Sequence, residues 1–309
     1  YLIVFWSVFA AGVLAIVILF ALIGNGKLGY MPTLTELENI ESSLASEVYT
    51  ADSLVMRRYY YKENRTFTSF DAISPNVIHA LIATEDERFY SHPGIDLRGL
   101  FRVFKGIATG DQSAGGGSTL SQQLAKMLFP REDITNKFQL AVRKLREWVI
   151  AVKLERSFTK EEIISMYLNK YDFLNLAVGI KSASAIYFGT TPDQLTLEQA
   201  AMLVGMAKNS SLYNPVRRPQ LVLARRNVVL SQMNKNGYLT DAEYNHYKTL
   251  PLNLNFHKED YKSTPGTYFT EYLRTLLTSP KPERENYKAW QMLQFHEDSI
   301  EWDNNPLYG

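Results

Sequence analysis

The run from Val77 to Gly94, VIHALIATEDERFYSHPG, sets an acid into an apolar pattern. Ile78, Ile82, Glu85 and Phe89 recur at i, i+4, i+7 and i+11, the spacing of one helical face. Two readings follow. Glu85 is a boundary residue whose stem packs while its head reaches water, or it is a carboxylate in a partly desolvated cleft. Loss of water makes a carboxylate a stronger base, the property general-base chemistry needs. Asp86 points about 100° away on a helix and cannot share that face. His92, beside Pro93 and Gly94, has the position of a helix-end capping or packing residue.

A second cluster is Ala114 to Met127, AGGGSTLSQQLAKM. Three glycines precede Ser118 and Thr119, and a helical pattern holding Gln122 and Gln123 begins there. Ser118 is the expected N-cap. Free N–H groups at such a start favour anions, phosphate among them. Thr119, Gln123 and Lys126, at i, i+4 and i+7, make one polar face running from that start. The plain alternative is a flexible loop before a solvated face.

In Leu140 to Leu154, LAVRKLREWVIAVKL, the expected core stripe is Val142, Leu145, Val149 and Val152. Arg143 and Glu147 form an i, i+4 pair with Lys144 and Arg146 nearby. Basic-first pairs are the weaker order, and such pairs give only ~0.2–0.5 kcal/mol. A cationic anion site with one acid among the cations explains the cluster better than stability does. In Met202 to Asn214, Lys208 closes an apolar helix, where the dipole favours a cation, and the polar stretch after it includes Ser211. Arg225 and Arg226 read as the basic edge of a helix.

These groups need a scaffold. Leu2 to Ile23 carries no charge and is long enough to span a hydrocarbon core, which takes roughly 20 helical residues, the alternatives being a buried core helix or a signal peptide. Thr33 to Ala45 reads as a short helix, and Glu47 to Phe70 as strand or extended chain. From Ser74 to about Tyr247 helical patterns follow one another, with breaks at Pro93, Gly115 to Gly117, Pro130, Gly189, Pro192, Pro215 and Gly237. Thr159 and Glu162 form a T-x-x-E capping box. Beyond Leu250 the helical pattern fades into a Pro-punctuated, Tyr-rich tail. The chain has 309 residues, 46% hydrophobic, with a formal net charge of +1 and no cysteine. That excludes a global polyanion field and leaves any basic function to local clusters, with no nucleic-acid partner expected, and the lack of cysteine excludes disulfides and a thiolate nucleophile. The start at Tyr1 reads as a trimmed terminus.

Taken in order, these clusters resemble the signature set of the peptidoglycan glycosyltransferases, glycosyltransferase family 51, the polymerising module of bifunctional class A penicillin-binding proteins. E-D-x-x-F-x-x-H-x-G is met by Glu85, Asp86, Phe89, His92 and Gly94, and G-x-S-T-x-x-Q-Q by Gly116, Ser118, Thr119, Gln122 and Gln123. R-K-x-x-E is met by Arg143, Lys144 and Glu147, Y-L-N by Tyr167, Leu168 and Asn169, and R-R-x-x-V-L by Arg225, Arg226, Val229 and Leu230. One stretch departs from the family. Where members are Gly-rich after Y-L-N, this chain reads Tyr171 to Gly179, YDFLNLAVG, and keeps only Gly179.

The resemblance implies a mainly α, lysozyme-like domain with a membrane-proximal lobe, which Leu100 to Ile107 suits as an amphipathic segment, a core-packed helix being the plain alternative. It implies residues 1–24 as a transmembrane helix, 25–70 as a linker with a short helix and an extended segment, 71–250 as the glycosyltransferase domain, and 251–309 as a linker toward a further domain of transpeptidase type. It places the chain as a single-pass protein of the bacterial cytoplasmic membrane, its catalytic part on the periplasmic side. The implied partners are lipid II, the growing glycan strand, the bilayer and other cell-wall synthesis proteins. Glu85 and Glu147 are the implied catalytic acids. Asp86, Phe89, His92, Ser118, Thr119, Gln122, Gln123, Lys126, Arg143, Lys144, Lys208 and Ser211 are the implied substrate-binding residues. Glu147 either holds the cations or binds a divalent ion, magnesium or manganese.

Three rivals stand against this reading. A lysozyme-type hydrolase or lytic transglycosylase needs a second carboxylate roughly 5–9.5 Å away across the scissile bond and no pyrophosphate cradle. A transpeptidase needs S-x-x-K, S-x-N and K-T-G in order. Ser157 to Lys160 and Ser74 to Asn76 match the first two in reversed order, and there is no K-T-G. A non-enzymatic membrane scaffold would need no base at Glu85.

Overall fold

The computed structural model describes residues 1–33, 37, 46–49, 51, 55–59, 67–109, 116–128, 136–257, 267–277 and 281–304. The chain divides into two compact units, Tyr1–Leu44 with Tyr61–Lys258, and Ala45–Tyr60 with Glu259–Gly309. The expected mainly α architecture is observed. The short helix expected over Thr33 to Ala45 lies outside the described residues apart from Thr33 and Leu37.

In the first unit, α1 (Leu2–Gly24) is apolar on every side and exposed along most of its length. Its length and composition would let it cross a membrane. Next comes α2 (Pro75–Glu85), which starts cleanly because Ser74 Oγ accepts the Asn76 N–H at 3.3 Å and Pro75 needs no N–H partner. The S-x-N match is therefore a helix cap. At Asp86 (φ −156°, ψ 77°) the helix stops. Phe89 is consequently not on the helical face with Ile78, Ile82 and Glu85, as the spacing predicted. It reaches the core from a short 3-10 turn at Phe89–Ser91.

The other helices are α3 (Leu97–Thr109), α4 (Leu120–Leu128), α5 (Lys137–Ser157), α6 (Lys160–Lys170), α7 (Ile180–Phe188), α8 (Leu197–Met206), α9 (Pro219–Lys235) and α10 (Asp241–Tyr247). Helix α8 has eight buried residues among its ten, so it is the central helix, and α2 and α9 pack against it. Helix α4 packs between α5 and α6. The Thr159–Glu162 capping box forms in both directions, and similar boxes open α8 and α10.

The buried stripe of α5 differs from the predicted one. It runs Val142, Arg146, Ile150, Ala151 and Leu154, while Leu145, Val149 and Val152 are only half-buried. Arg146 takes a buried place beside Gly29 in the turn after α1, where a Cβ would overlap the guanidinium. Arg226 is fully buried and donates to the carbonyls of Tyr247, Lys248 and Pro251, closing the C-terminal end of α10. Extended chain then runs along α7, with Asn255 and His257 donating to the Tyr187 and Ile186 carbonyls.

In the second unit, β1 (Ser46–Tyr49) and β2 (Val55–Tyr59) pair antiparallel with an irregularity at Val48/Tyr49, within the stretch expected to be extended. The tail is more helical than its sequence pattern showed. It holds α11 (Thr267–Leu277) and α12 (Met292–Asn304), and the Tyr287 hydroxyl donates to Asp298 in α12 at 2.8 Å.

Candidate active site

A cleft of about 450 Å³ opens in the first unit at the C-terminal end of α2. From the residues expected at the site it gathers Glu85, Asp86, Ser118, Thr119, Gln123 and Lys208, and it adds Arg102, Arg225, Gln232 and Lys235. Phe89, His92 and Gln122 are buried and do not line it. Lys126, Arg143, Lys144, Glu147 and Ser211 do not line it either.

Glu85 ends α2 with its side chain 15% exposed. One carboxylate oxygen accepts Gln123 Nε2–H at 3.1 Å, and the other lies 3.7 Å from Arg225 Nη2. Arg225 is held in turn, its Nε donating to the Gly205 carbonyl at 3.3 Å. Only the R-R-x-x-V-L motif singled out Arg225 among the residues. A signal was present: Arg225, Gln232 and Lys235 recur at i, i+7 and i+10, a polar stripe on one helical face that looks into the cleft.

Asp86 is buried, and its two oxygens lie 3.0 and 3.1 Å from His92 Nε2. One of them also accepts the Leu120 backbone N–H at 3.0 Å. His92 Nδ1 accepts the Gly94 N–H at 3.2 Å, so Nε2 carries the proton that points at Asp86. The Gly94 carbonyl accepts Thr119 Oγ–H at 2.7 Å and Gln122 Nε2–H at 3.3 Å. Gly94 itself has φ +91°, and a Cβ there would lie 2.9 Å from the Ala151 carbonyl oxygen. Two of the quoted motifs thus join into one buried latch that fixes α4 against the turn after Glu85.

Ser118 is not the N-cap. Thr119 accepts the Gln122 N–H at 3.2 Å and so caps α4, because Asp86 draws the first N–H of the helix inward. Ser118 Oγ instead accepts Lys144 Nζ–H at 2.9 Å, and the same ammonium donates to Glu147 at 2.9 Å. The ion pair on α5 is Lys144–Glu147, at i, i+3, in place of the expected Arg143–Glu147. Of the polar face predicted on α4, only Lys126 is exposed, and Thr119 is buried.

The remaining acids of the cleft are all committed. Glu87 pairs with Arg102 at 2.6 Å, and Asp96 pairs with Arg88. A second network lies outside the cleft. Lys160 donates to the His92 carbonyl at 2.7 Å, pairs with Glu155 at 2.6 Å and sits 4.3 Å from the Phe89 ring centre, while Ser121 donates to Glu155. The S-x-x-K match ends in this structural lysine. Among the described residues no three His, Asp or Glu side chains converge, and the Glu147 carboxylate already faces an ammonium.

The stretch that departs from the family pattern is strained. Leu174, Asn175 and Leu176 all have positive φ, at 63°, 52° and 68°. Glycine reaches that region freely, whereas a β-carbon costs ~1–2 kcal/mol per residue. Local bonds hold the turn: Leu174 N–H to Asp172, Ala177 N–H to the Leu174 carbonyl, and Asn175 Nδ2–H to the Tyr187 hydroxyl.

A family profile described as Transglycosylase matches residues 52–234. Penicillin-binding protein 1A of Escherichia coli strain K12 is 35% identical over 79% of this chain and 28% of its own length. Penicillin-binding protein 1A/1B of Bacillus subtilis strain 168 is 41% identical over 62% of this chain and 20% of its own. A crystal structure of penicillin-binding protein 1A from Haemophilus influenzae aligns over 80% of this chain and 26% of that chain, at 21% identity and a TM-score of 0.42. The chain spans less than a third of the length of these relatives.

Proposed function

The chain belongs to the transglycosylase family, and from that premise we propose that it is a peptidoglycan glycosyltransferase that joins lipid II units into β-1,4 glycan strands. The observation that carries the reading is how loosely Glu85 is held. It is the one acid lining the cleft whose carboxylate has only an amide N–H and a guanidinium 3.7 Å away, among the described residues. Asp86, Glu87 and Asp96 are each tied to a buried donor or an arginine.

The reaction needs one base and a place for a departing pyrophosphate. Glu85 takes the proton from the 4-hydroxyl of the acceptor GlcNAc. That oxygen attacks C1 of the donor MurNAc from the face opposite the leaving group, so the anomeric centre inverts. Polyprenyl pyrophosphate departs with the bonding pair. Charge developing on the leaving oxygen is best met by cations already in place. Lys208 lines the cleft, and Lys144 reaches its wall through Ser118. Glu147 holds Lys144 toward Ser118 and needs no metal for that role. Arg143 and Lys126 lie farther along the same helices and serve the lipid-linked phosphates outside the cleft. Helix α1 anchors the chain in the cytoplasmic membrane with the cleft on the periplasmic side. Residues 71–250 then form the polymerising domain, and 251–309 lead toward a further domain.

A hydrolase is the poorer reading because it needs a second available carboxylate, and the other acids of the cleft are occupied. Purified enzyme in detergent with lipid II tests the proposal. Wild type forms polymer, and Glu85→Gln forms none while keeping its melting temperature. Normal polymerisation by Glu85→Gln, or cleavage of preformed glycan alone by wild type, would overturn it.

A further inference from the structure

Gln123 has two ends, and both are bonded. Its Nε2–H donates to Glu85 at 3.1 Å, and its Oε1 accepts the Tyr167 hydroxyl at 3.2 Å. Tyr167 lies on α6 with 1% of its surface exposed. Its ring stacks on Tyr171, with centroids 6.0 Å apart. The direction of the chain is dictated from the Glu85 end. A carboxylate only accepts, so the Gln123 amide must turn its N–H groups toward it. The carbonyl then faces Tyr167, which must donate.

We infer that Tyr167 is a positioning residue for the reaction, acting through Gln123 to hold the Glu85 carboxylate in place as an acceptor. The inference rests on Glu85 being the base. Without the tyrosine hydroxyl, the Gln123 carbonyl loses its anchor, and the amide that donates to Glu85 is no longer held at one place. Burial, followed by the negative charge of Glu85, raises the Tyr167 phenol well above its ordinary value. The hydroxyl therefore keeps its proton and stays a donor wherever the enzyme works.

Substrate contact is not expected of Tyr167, which does not line the cleft. Its loss should therefore appear in kcat and leave KM unchanged. The test is a double-mutant cycle on the full chain with fluorescent lipid II: Tyr167→Phe, Gln123→Met, the double variant and wild type. Phenylalanine keeps the ring and its stack on Tyr171. Tyr167→Phe alone should lower kcat by roughly 10-fold, the value of about one hydrogen bond. In the Gln123→Met background the same change should alter kcat by less than about twofold, because the route to Glu85 is already cut. A full effect in both backgrounds, including one from general loss of stability, overturns the inference. So does a normal kcat for Tyr167→Phe, or a change confined to KM. The Glu85→Gln result is separate: normal polymerisation by that variant removes the base assignment whatever the cycle gives.

Discussion

The Asp86 carboxylate accepts the backbone N–H of Leu120, 34 residues on, at 3.0 Å. The acid adjacent to Glu85 thus fastens the helix that brings Gln123 to Glu85. The two acids divide the work: one is buried to hold the frame, and the other faces the cleft.

Removing that frame should cost stability before it costs chemistry. Asp86→Ala strands the Leu120 N–H and the His92 Nε2–H in a buried place, at about 1–3 kcal/mol for each unmet group. The denaturation midpoint should fall, and amide exchange at Leu120 should quicken. His92→Ala should fall less, and the double variant should lose less than the sum, since the two residues share one bond. Additive losses would show that the latch is not a unit.

Gly94 has two independent reasons to be glycine. Its φ of +91° is open to few other residues, and a Cβ would press on the Ala151 carbonyl at 2.9 Å. Gly94→Ala should lose about 1–3 kcal/mol from the backbone alone, read as a lower midpoint in urea with an unchanged slope. Activity should fall in parallel, because the Gly94 carbonyl holds Thr119 and Gln122.

Much of this was legible in the residues. Periodicity and caps gave the helical stretch from Ser74, the Thr159–Glu162 box and the charge-free first helix, since these depend on neighbours a few positions apart. An acid on an apolar face left Glu85 open between a boundary residue and a base, and the E-D-x-x-F-x-x-H-x-G motif pointed to the base. What could not be read depends on distant partners. Ser118 looked like a cap until Asp86 took the first N–H of α4. Arg146 looked like one cation of an anion-holding cluster until the turn at Gly29 covered it. Arg225 looked like a helix edge because the cleft it faces is built from segments more than a hundred residues apart.

The strained turn invites a stabilising change. Leu176 has φ 68° and is 46% exposed, so its side chain buries little to offset the backbone cost. Leu176→Gly should raise stability by roughly 0.5–1 kcal/mol, and Leu176→Asn by less, following each residue's ease in the left-handed region. Calorimetry or urea melts check this. A loss of stability would mean the leucine packs more than its exposure implies.

Alkali should weaken the fold through its buried phenols. Burial pushes Tyr171 up to about 12 from 10.0, and Tyr187 likewise. The folded state therefore holds these protons more tightly than the unfolded chain. Their contribution is fully present below pH 10 and is lost as the pH climbs from 10 toward about 12. Urea midpoints taken across that window should decline, and Tyr171→Phe should make the decline shallower. An equally steep decline in that variant would remove Tyr171 as a contributor.

Arg225 offers the sharpest test of how the proposed base, Glu85, is held. Its guanidinium reaches the Glu85 carboxylate through Nη2 at 3.7 Å and the Gly205 carbonyl through Nε at 3.3 Å. Lysine keeps the charge but cannot make both contacts. If Arg225 only balanced charge, Arg225→Lys would be active and Arg225→Ala would not. If it sets geometry, both should lose kcat, lysine by at least ~10-fold, a fraction of the roughly 10²–10⁴ that a placed base is worth. Gly205→Ala gives an independent check, because a Cβ there would lie 3.2 Å from the Arg225 Cγ and lean on the side chain without removing it. It should reproduce a milder form of the lysine defect, with the melting temperature nearly unchanged. Rates of lipid II polymerisation for the three variants distinguish the cases. Full activity in Arg225→Lys would reduce the arginine to a counter-charge and leave Gln123 as the neighbour that orients Glu85.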